Sequence, residues 1–209
     1  NNKTLLPDND YVLRAPRVMS YQPDRNERIK VALYIKQIIG GRQTIILANL
    51  PTVPLWKKVR IRHGGDSIRT NSATRISAKQ RNASYIRYEF EYEERTNGTL
   101  QIVRLVQYGR LEKIVVCLLS NDTQWLGLAG KTLLLALIKP CQTGGRDATK
   151  EETRYSRNLA SIITDLRNVK GVVGRVESRG EWTIIDRRNS FAKPAFDGAG
   201  YITDGSEAA

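Results

Sequence analysis

The chain has 209 residues, a net charge of +13 and a pI near 10, with 40% apolar and 26% charged residues. This length supports a hydrophobic core that folds without disulfides or metals. The longest mostly apolar stretch, Thr132 to Ile138, is far shorter than the roughly 20 residues of a membrane-spanning helix, so we expect no transmembrane segment. The strong positive charge indicates an anionic partner, and nucleic acid is the leading candidate.

The N-terminal segment is predicted to be extended. Residues 1–28 are polar and contain Pro7, Pro16 and Pro23, which are spaced too closely for a long helix. We therefore expect an N-terminal arm. The chain starts without Met and without a signal peptide, and we expect it to be a module of a larger intracellular protein.

A small β subregion is predicted over residues 29–63. Apolar residues alternate with other side chains along 29–39, a pattern typical of a half-buried strand. Gly40 and Gly41 would turn the chain, and 44–50 would return as the second strand of a hairpin.

The densest positive charge lies in the segment 57–81, which holds eight Lys or Arg residues and a single acid, Asp66. Like charges at this density repel one another, and a bound polyanion would relieve the repulsion. The segment lacks aromatic residues, which favours contact with phosphates over base stacking. Residues 64–84 lack periodicity and are predicted to form a flexible basic loop. The predicted nucleic-acid-binding residues are Lys57, Lys58, Arg60, Arg62, Arg69, Arg75, Lys79 and Arg81.

The rest of the chain predicts a mainly β or α+β protein. Its central feature would be a twisted antiparallel sheet or partly open barrel within a main domain over 85–188, followed by a disordered tail over 189–209. One short helix is predicted near 157–169, where apolar residues recur at helical spacing. The predicted strands of this domain cover 85–92, 99–107, 111–119, 131–138 and a closing hairpin at 172–186.

Residues for the common catalytic and metal sites are scarce. The chain has one histidine, His63, and two cysteines, Cys117 and Cys141, which we interpret as reduced core thiols. Nucleotide-binding glycine motifs are absent, and we expect no enzyme activity, metal or cofactor. Metal-dependent phosphodiester cleavage through Asp165 or Asp186 remains an alternative.

Two further motifs bear on possible binding sites. Glu89, Glu91, Glu93 and Glu94 are interpreted as a solvated strand face beside arginines. Gly144, Gly145 and Arg146 precede a predicted helix start, where backbone N–H groups could hold a phosphate.

Four stretches carry a resemblance to known proteins: 106–111 (VQYGRL), 134–138 (LLALI), 172–176 (VVGRV) and 182–187 (WTIIDR). Through these four stretches, residues 85–190 resemble a β-rich accessory region of large transposon-derived proteins of fungi. The Tyr-Gly-Arg element between strands also resembles small chromatin-reader β-folds of the bromo-adjacent kind. The resemblance implies an accessory module beside a transposase-like core and assigns no functional residue.

The leading interpretation is a non-catalytic nucleic-acid-binding or chromatin-associated module, which we expect in the nucleus. The first alternative is a viral coat or structural β-sandwich subunit that packages a genome, although coat arms usually lie at a chain end. The second alternative is a protein-interaction domain with an acidic partner.

Overall fold

The computed structural model describes residues 3–5, 10–62, 65–73, 82–96 and 99–188. Of these, 51% lie in strands and 20% in helices, and the antiparallel sheets do not close into a barrel. The predicted mainly β fold class is therefore confirmed.

The main sheet contains nine strands arranged around one strand of 20 residues, Thr99–Leu118. Its strands are β1 (Lys3–Leu5), β2 (Tyr11–Tyr21), β3 (Val53–Ile61), β4 (Ser67–Arg69), β5 (Tyr85–Thr96), β6 (Thr99–Leu118), β7 (Thr132–Pro140), β9 (Ile162–Asp165) and β10 (Val169–Val172). A second sheet has three strands in the order β11 (Gly174–Ser178), β12 (Glu181–Ile185) and β8 (Arg154–Tyr155).

The sheet branches at β6, whose two halves have different neighbours. One edge of β6 pairs with β5 along 99–110 and then with β3 at Ile114 and Val115. The opposite edge pairs with β7 along 109–118. Beyond β3, the sheet continues through β2 to β1, and β4 also pairs with β3. The N-terminal third of the chain is thus joined to the main sheet through β3.

Two helices replace the hairpin predicted over 29–50, and that prediction is wrong. The first is α1 (Arg25–Ile39), and the second is α2 (Gln43–Ala48). Asp24 and Glu27 form a capping box at the start of α1, because each side chain accepts a backbone N–H of the other. Val31 and Ile35 lie one helical turn apart and pack against the sheet, which stabilises a helix that the alternating pattern did not indicate.

The helix predicted over 157–169 is also absent. This segment instead forms β9, a short 3₁₀ turn (Leu166–Asn168) and the start of β10. Ile162, Ile163 and Thr164 are β-branched and pair with β7, which favours a strand over a helix.

The predicted N-terminal arm belongs largely to the main sheet, since β2 contributes buried side chains from Tyr11 and Leu13. Within the predicted loop 64–84, the chain forms β4 and a 3₁₀ turn (Asn71–Ala73). The segment 74–81 and the predicted tail lie outside the described residues.

The hairpin predicted at 172–186 is confirmed as β11 and β12, which pair from Gly174 opposite Ile185 to Ser178 opposite Glu181. Arg179 and Gly180 both have positive φ, at 54° and 80°, which a tight hairpin turn requires.

Among the described helices, none is long and apolar enough to cross a membrane.

Candidate nucleic-acid interface

Three adjacent strands place three cations in one row, which we call the basic row: Arg14 of β2, Lys58 of β3 and Arg69 of β4. Lys58 lies directly opposite Arg14 on one side and Arg69 on the other. Directly opposite residues share a face of the sheet, with strands about 4.8 Å apart. The row therefore spans roughly 10 Å and sets like charges beside each other, which destabilises the folded chain.

A hydrophobic core lies behind the basic row. Each cation has a fully buried neighbour on its own strand: Leu13, Val59 and Ile68. Because successive residues of a strand point to opposite faces, burial of these three side chains directs the cations to the other face. Arg14 and Lys58 are half-buried and Arg69 is exposed.

Further cations flank the basic row. Arg60 is exposed and follows Lys58 by two residues, so it shares the same face, with Ser67 opposite it on β4. On β2, the guanidinium of Arg17 lies 5.5 Å from the ring centroid of Trp56, which is buried. Arg62 follows the end of β3, and both Arg62 and Lys57 are half-buried.

The structure therefore brings together three of the eight predicted residues, namely Lys58, Arg60 and Arg69. It adds Arg14, which sequence reasoning missed because the pairing of β2 with β3 joins segments 44 residues apart. The predicted residues Arg75, Lys79 and Arg81 lie outside the described part of the chain, as does His63.

Within the described ranges, no carboxylate forms an ion pair with Arg14, Lys58, Arg60 or Arg69, although arginines elsewhere are paired. Examples of paired residues are Arg104 with Glu91, Arg154 with Glu152 and Arg167 with Asp165. The positive charge of the row is thus left for solvent or a partner to neutralise.

The one acid of the basic segment, Asp66, is turned away from this face. Its carboxylate accepts a hydrogen bond from the backbone N–H of Val172, at 2.7 Å, and lies 3.5 Å from the guanidinium of Arg187. Asp66 therefore attaches β4 to β10 and leaves the charge of the row uncompensated.

One nitrogen atom of the Arg14 side chain lacks a hydrogen-bond partner. Its Nε is buried and has no hydrogen-bond partner among the described residues. Buried donors are nearly always paired in folded proteins, and an unpaired one costs about 1–3 kcal/mol. This unpaired donor adds to the cost of holding Arg14 in the basic row.

Replacing Lys58 by Gln is expected to stabilise the free protein. The change removes the central charge of the row and with it the repulsion from Arg14 and Arg69, a gain of about 0.2–1 kcal/mol per pair at low salt. Urea unfolding of the wild type and the variant measures this difference. A less stable Lys58→Gln protein at low salt would contradict the uncompensated row.

A second cluster of charges, the Arg87 network, is buried. The Arg87 guanidinium donates to Glu89 at 2.7 Å, Asp186 at 2.9 Å and Asp147 at 3.0 Å. The Tyr108 hydroxyl donates to Asp186 at 3.1 Å and accepts from the backbone N–H of Ala148 at 3.0 Å. These contacts join β5 and β6 to the turn after β7 and to the end of β12.

Burial and hydrogen bonding shift the pKa values within this network. Burial would lower the pKa of Arg87, but the hydrogen bonds that its guanidinium donates to Asp186 and Glu89 raise it, so the guanidinium stays charged. Burial, with the Asp186 charge, raises the pKa of Tyr108. Burial opposes ionisation of Asp147, yet hydrogen bonds from Thr149 and Arg87 lower its pKa below the usual value.

The Arg87 network corrects the interpretation of Glu89 as part of a solvated face. Glu89 is 6% exposed and bonds to Arg87, whereas Glu91, Glu93 and Glu94 are exposed as expected. Asp186 is held by the same network, and Asp165 pairs instead with Arg167. Among the described residues, no cluster of three or more His, Cys, Asp or Glu has the arrangement of a metal site.

The predicted helix start after Gly144, Gly145 and Arg146 does not form. Both glycines have positive φ, at 65° and 79°, and lead into a hydrogen-bonded turn from Asp147. The backbone N–H of Arg146 donates to the carbonyl of Thr143 at 3.3 Å, and the carboxylate of Asp147 accepts the N–H of Thr149 at 3.0 Å.

Both cysteines are buried free thiols, as interpreted from the sequence. Burial raises the pKa of Cys117 to about 12 and that of Cys141 to about 11. Both thiols therefore stay protonated and unreactive at neutral pH.

Comparison with known proteins adds no relative, since no family model, curated protein or solved structure matches this chain.

Proposed function

We propose that the protein is a non-catalytic module that binds nucleic acid by its phosphate backbone, through the face of β2, β3 and β4 that carries the basic row. The observation that carries the proposal is the uncompensated alignment of Arg14, Lys58 and Arg69. Side chains that repel one another in the free protein gain most from a bound polyanion, because bound phosphates remove the repulsion.

The same face favours phosphate contacts over reading of bases. Arginine and lysine donate to phosphate oxygens, and Ser67 adds a hydroxyl beside Arg60. The nearest indole, Trp56, is buried beneath Arg17 and has no free ring face for a base. We therefore propose binding with little sequence preference, in the setting of a larger nuclear or chromatin-associated protein.

A salt titration of binding to duplex DNA, single-stranded DNA and RNA tests the proposal. We expect the logarithm of the association constant to fall linearly with the logarithm of salt concentration, by about 0.9 per phosphate contacted on a duplex. Poly-glutamate of the same charge serves as a competitor. Failure to bind any of the three polymers at low salt would overturn the proposal, and so would poly-glutamate competing as well as DNA, because that result favours an acidic protein partner.

A further inference from the structure

The hairpin of β5 and β6 extends beyond the rest of the sheet. The two strands pair from Glu89 opposite Val106 to Thr96 opposite Thr99. Over this length, which we call the ribbon, neither strand has another neighbour in the described part of the chain. The neighbour of β5, β10, ends its pairing at Tyr88, and the neighbour of β6, β7, begins its pairing at Gly109.

The two outer edges of the ribbon differ in charge. The β5 edge carries three exposed glutamates, Glu91, Glu93 and Glu94, and charged side chains discourage pairing with another strand. The β6 edge, 99–106, has a single charged residue, Arg104, and exposes Ile102 by 73% and Leu100 by 55%. Leu105 adds an exposed side chain on the other face of the ribbon.

Such a ribbon is poorly stable alone. A two-stranded antiparallel pair is marginally stable in water, and a long apolar edge offers unpaired N–H and C=O groups to another strand. The side chains exposed along β6 are those that usually pack against a neighbour, since leucine and isoleucine prefer burial. The features of this edge therefore fit a partner that itself supplies an apolar strand.

We infer that the outer edge of β6 pairs antiparallel with the same edge of a second copy of this chain. A register centred on Ile102 sets this residue opposite its counterpart and places Arg104 opposite Leu100 of the other copy. No like charges then face each other, so the edge is complementary to itself. The contact has two-fold symmetry and closes at two copies, because the outer edges of the resulting four-stranded sheet are the glutamate-rich β5 strands.

Light scattering of the purified full chain without nucleic acid, over a range of concentrations, tests this inference independently of the proposed function. We expect a dimer. Ile102→Lys is expected to halve the mass, because two lysines would meet at the symmetry axis while each still faces Glu93 of its own ribbon. Val176→Lys, at an exposed position of β11, is the matched control and should remain dimeric.

A second variant keeps the inference testable if Ile102→Lys fails to fold. Ile102→Cys should form a covalent dimer under mild oxidation, because the two thiols face each other and the native cysteines are buried. A wild-type monomer at every concentration would overturn the inference. Assemblies larger than two, or a dimer that survives Ile102→Lys, would equally overturn it.

Discussion

Replacing Arg14, Lys58 and Arg69 together by Gln is expected to weaken binding to duplex DNA roughly 100-fold at about 0.1 M salt. Each lost phosphate contact removes the release of about 0.9 counterion, so three lost contacts lower affinity by two to three orders of magnitude at this salt concentration. Fluorescence anisotropy with a labelled duplex measures the change. The glutamines keep the polar surface, and removing like charges should not unfold the protein.

The control is a variant with the same net charge but an intact basic row. Lys36, Lys131 and Lys150 are exposed, lie on other surfaces and form no ion pair within the described ranges. Replacing these three by Gln is expected to weaken binding only severalfold, through the long-range field. Equal losses in the two triple variants would mean that net charge, rather than the basic row, determines binding.

Replacing Arg87 by Met is expected to destabilise the folded state by about 3–5 kcal/mol near neutral pH, the usual cost of leaving buried charges without their partner. The variant leaves Glu89, Asp147 and Asp186 close together without the guanidinium that neutralises them. Equilibrium denaturation in urea measures the loss. Because the network joins the small sheet to the main sheet, the contacts around Trp182 and Ile184 should weaken first.

The matched control is Arg154→Met, since Arg154 forms an exposed ion pair with Glu152 and should be replaceable without measurable loss of stability.

The effect of Arg87→Met on stability also depends on pH. The folded-state pKa of Asp147 is lowered, so its contribution is complete above its ordinary value of 3.8 and is lost as the pH falls further. The stability difference between wild type and Arg87→Met should therefore shrink in acid. A difference that grows below pH 4 would contradict the assigned charges.

The central strands were predictable because their pattern is local. Alternation in 85–92 and the β-rich runs that follow predicted strands at 85–92, 99–107, 111–119 and 131–138, and β5, β6 and β7 lie over these residues. The sequence predicted separate strands at 99–107 and 111–119, yet β6 is one strand of 20 residues that passes through Gly109. A Cβ at position 109 would lie 2.7 Å from Cγ2 of Ile138, so glycine allows β6 and β7 to approach closely here.

Helix α1 was missed although the sequence contains a signal for it. Asp24 and Glu27 have the spacing of a capping box, and Val31 and Ile35 have the spacing of one helical turn. The alternation of Ile29, Val31, Leu33 and Ile35 fitted a strand equally well. Position 33 decides between them, because Leu33 is exposed in the helix.

The basic row could be predicted only in part. The charges of Lys58 and Arg69 are evident in the sequence, whereas their alignment with Arg14 depends on the registers of β2 and β4 against β3. These registers are fixed by burial of Leu13, Val59 and Ile68, and a shift of one residue would turn the cations into the core. Similarly, no local pattern relates Arg87 to Asp186, 99 positions away.

The most direct test of the central claim compares salt dependence rather than affinity alone. The slope of the logarithm of the association constant against the logarithm of salt concentration reports how many phosphates the protein neutralises. On duplex DNA, the three residues of the basic row contribute about 2.7 to the magnitude of this slope. We predict that the slope of the Arg14, Lys58 and Arg69 triple variant is shallower than that of the wild type by nearly this amount. Parallel lines for the two proteins would contradict the account.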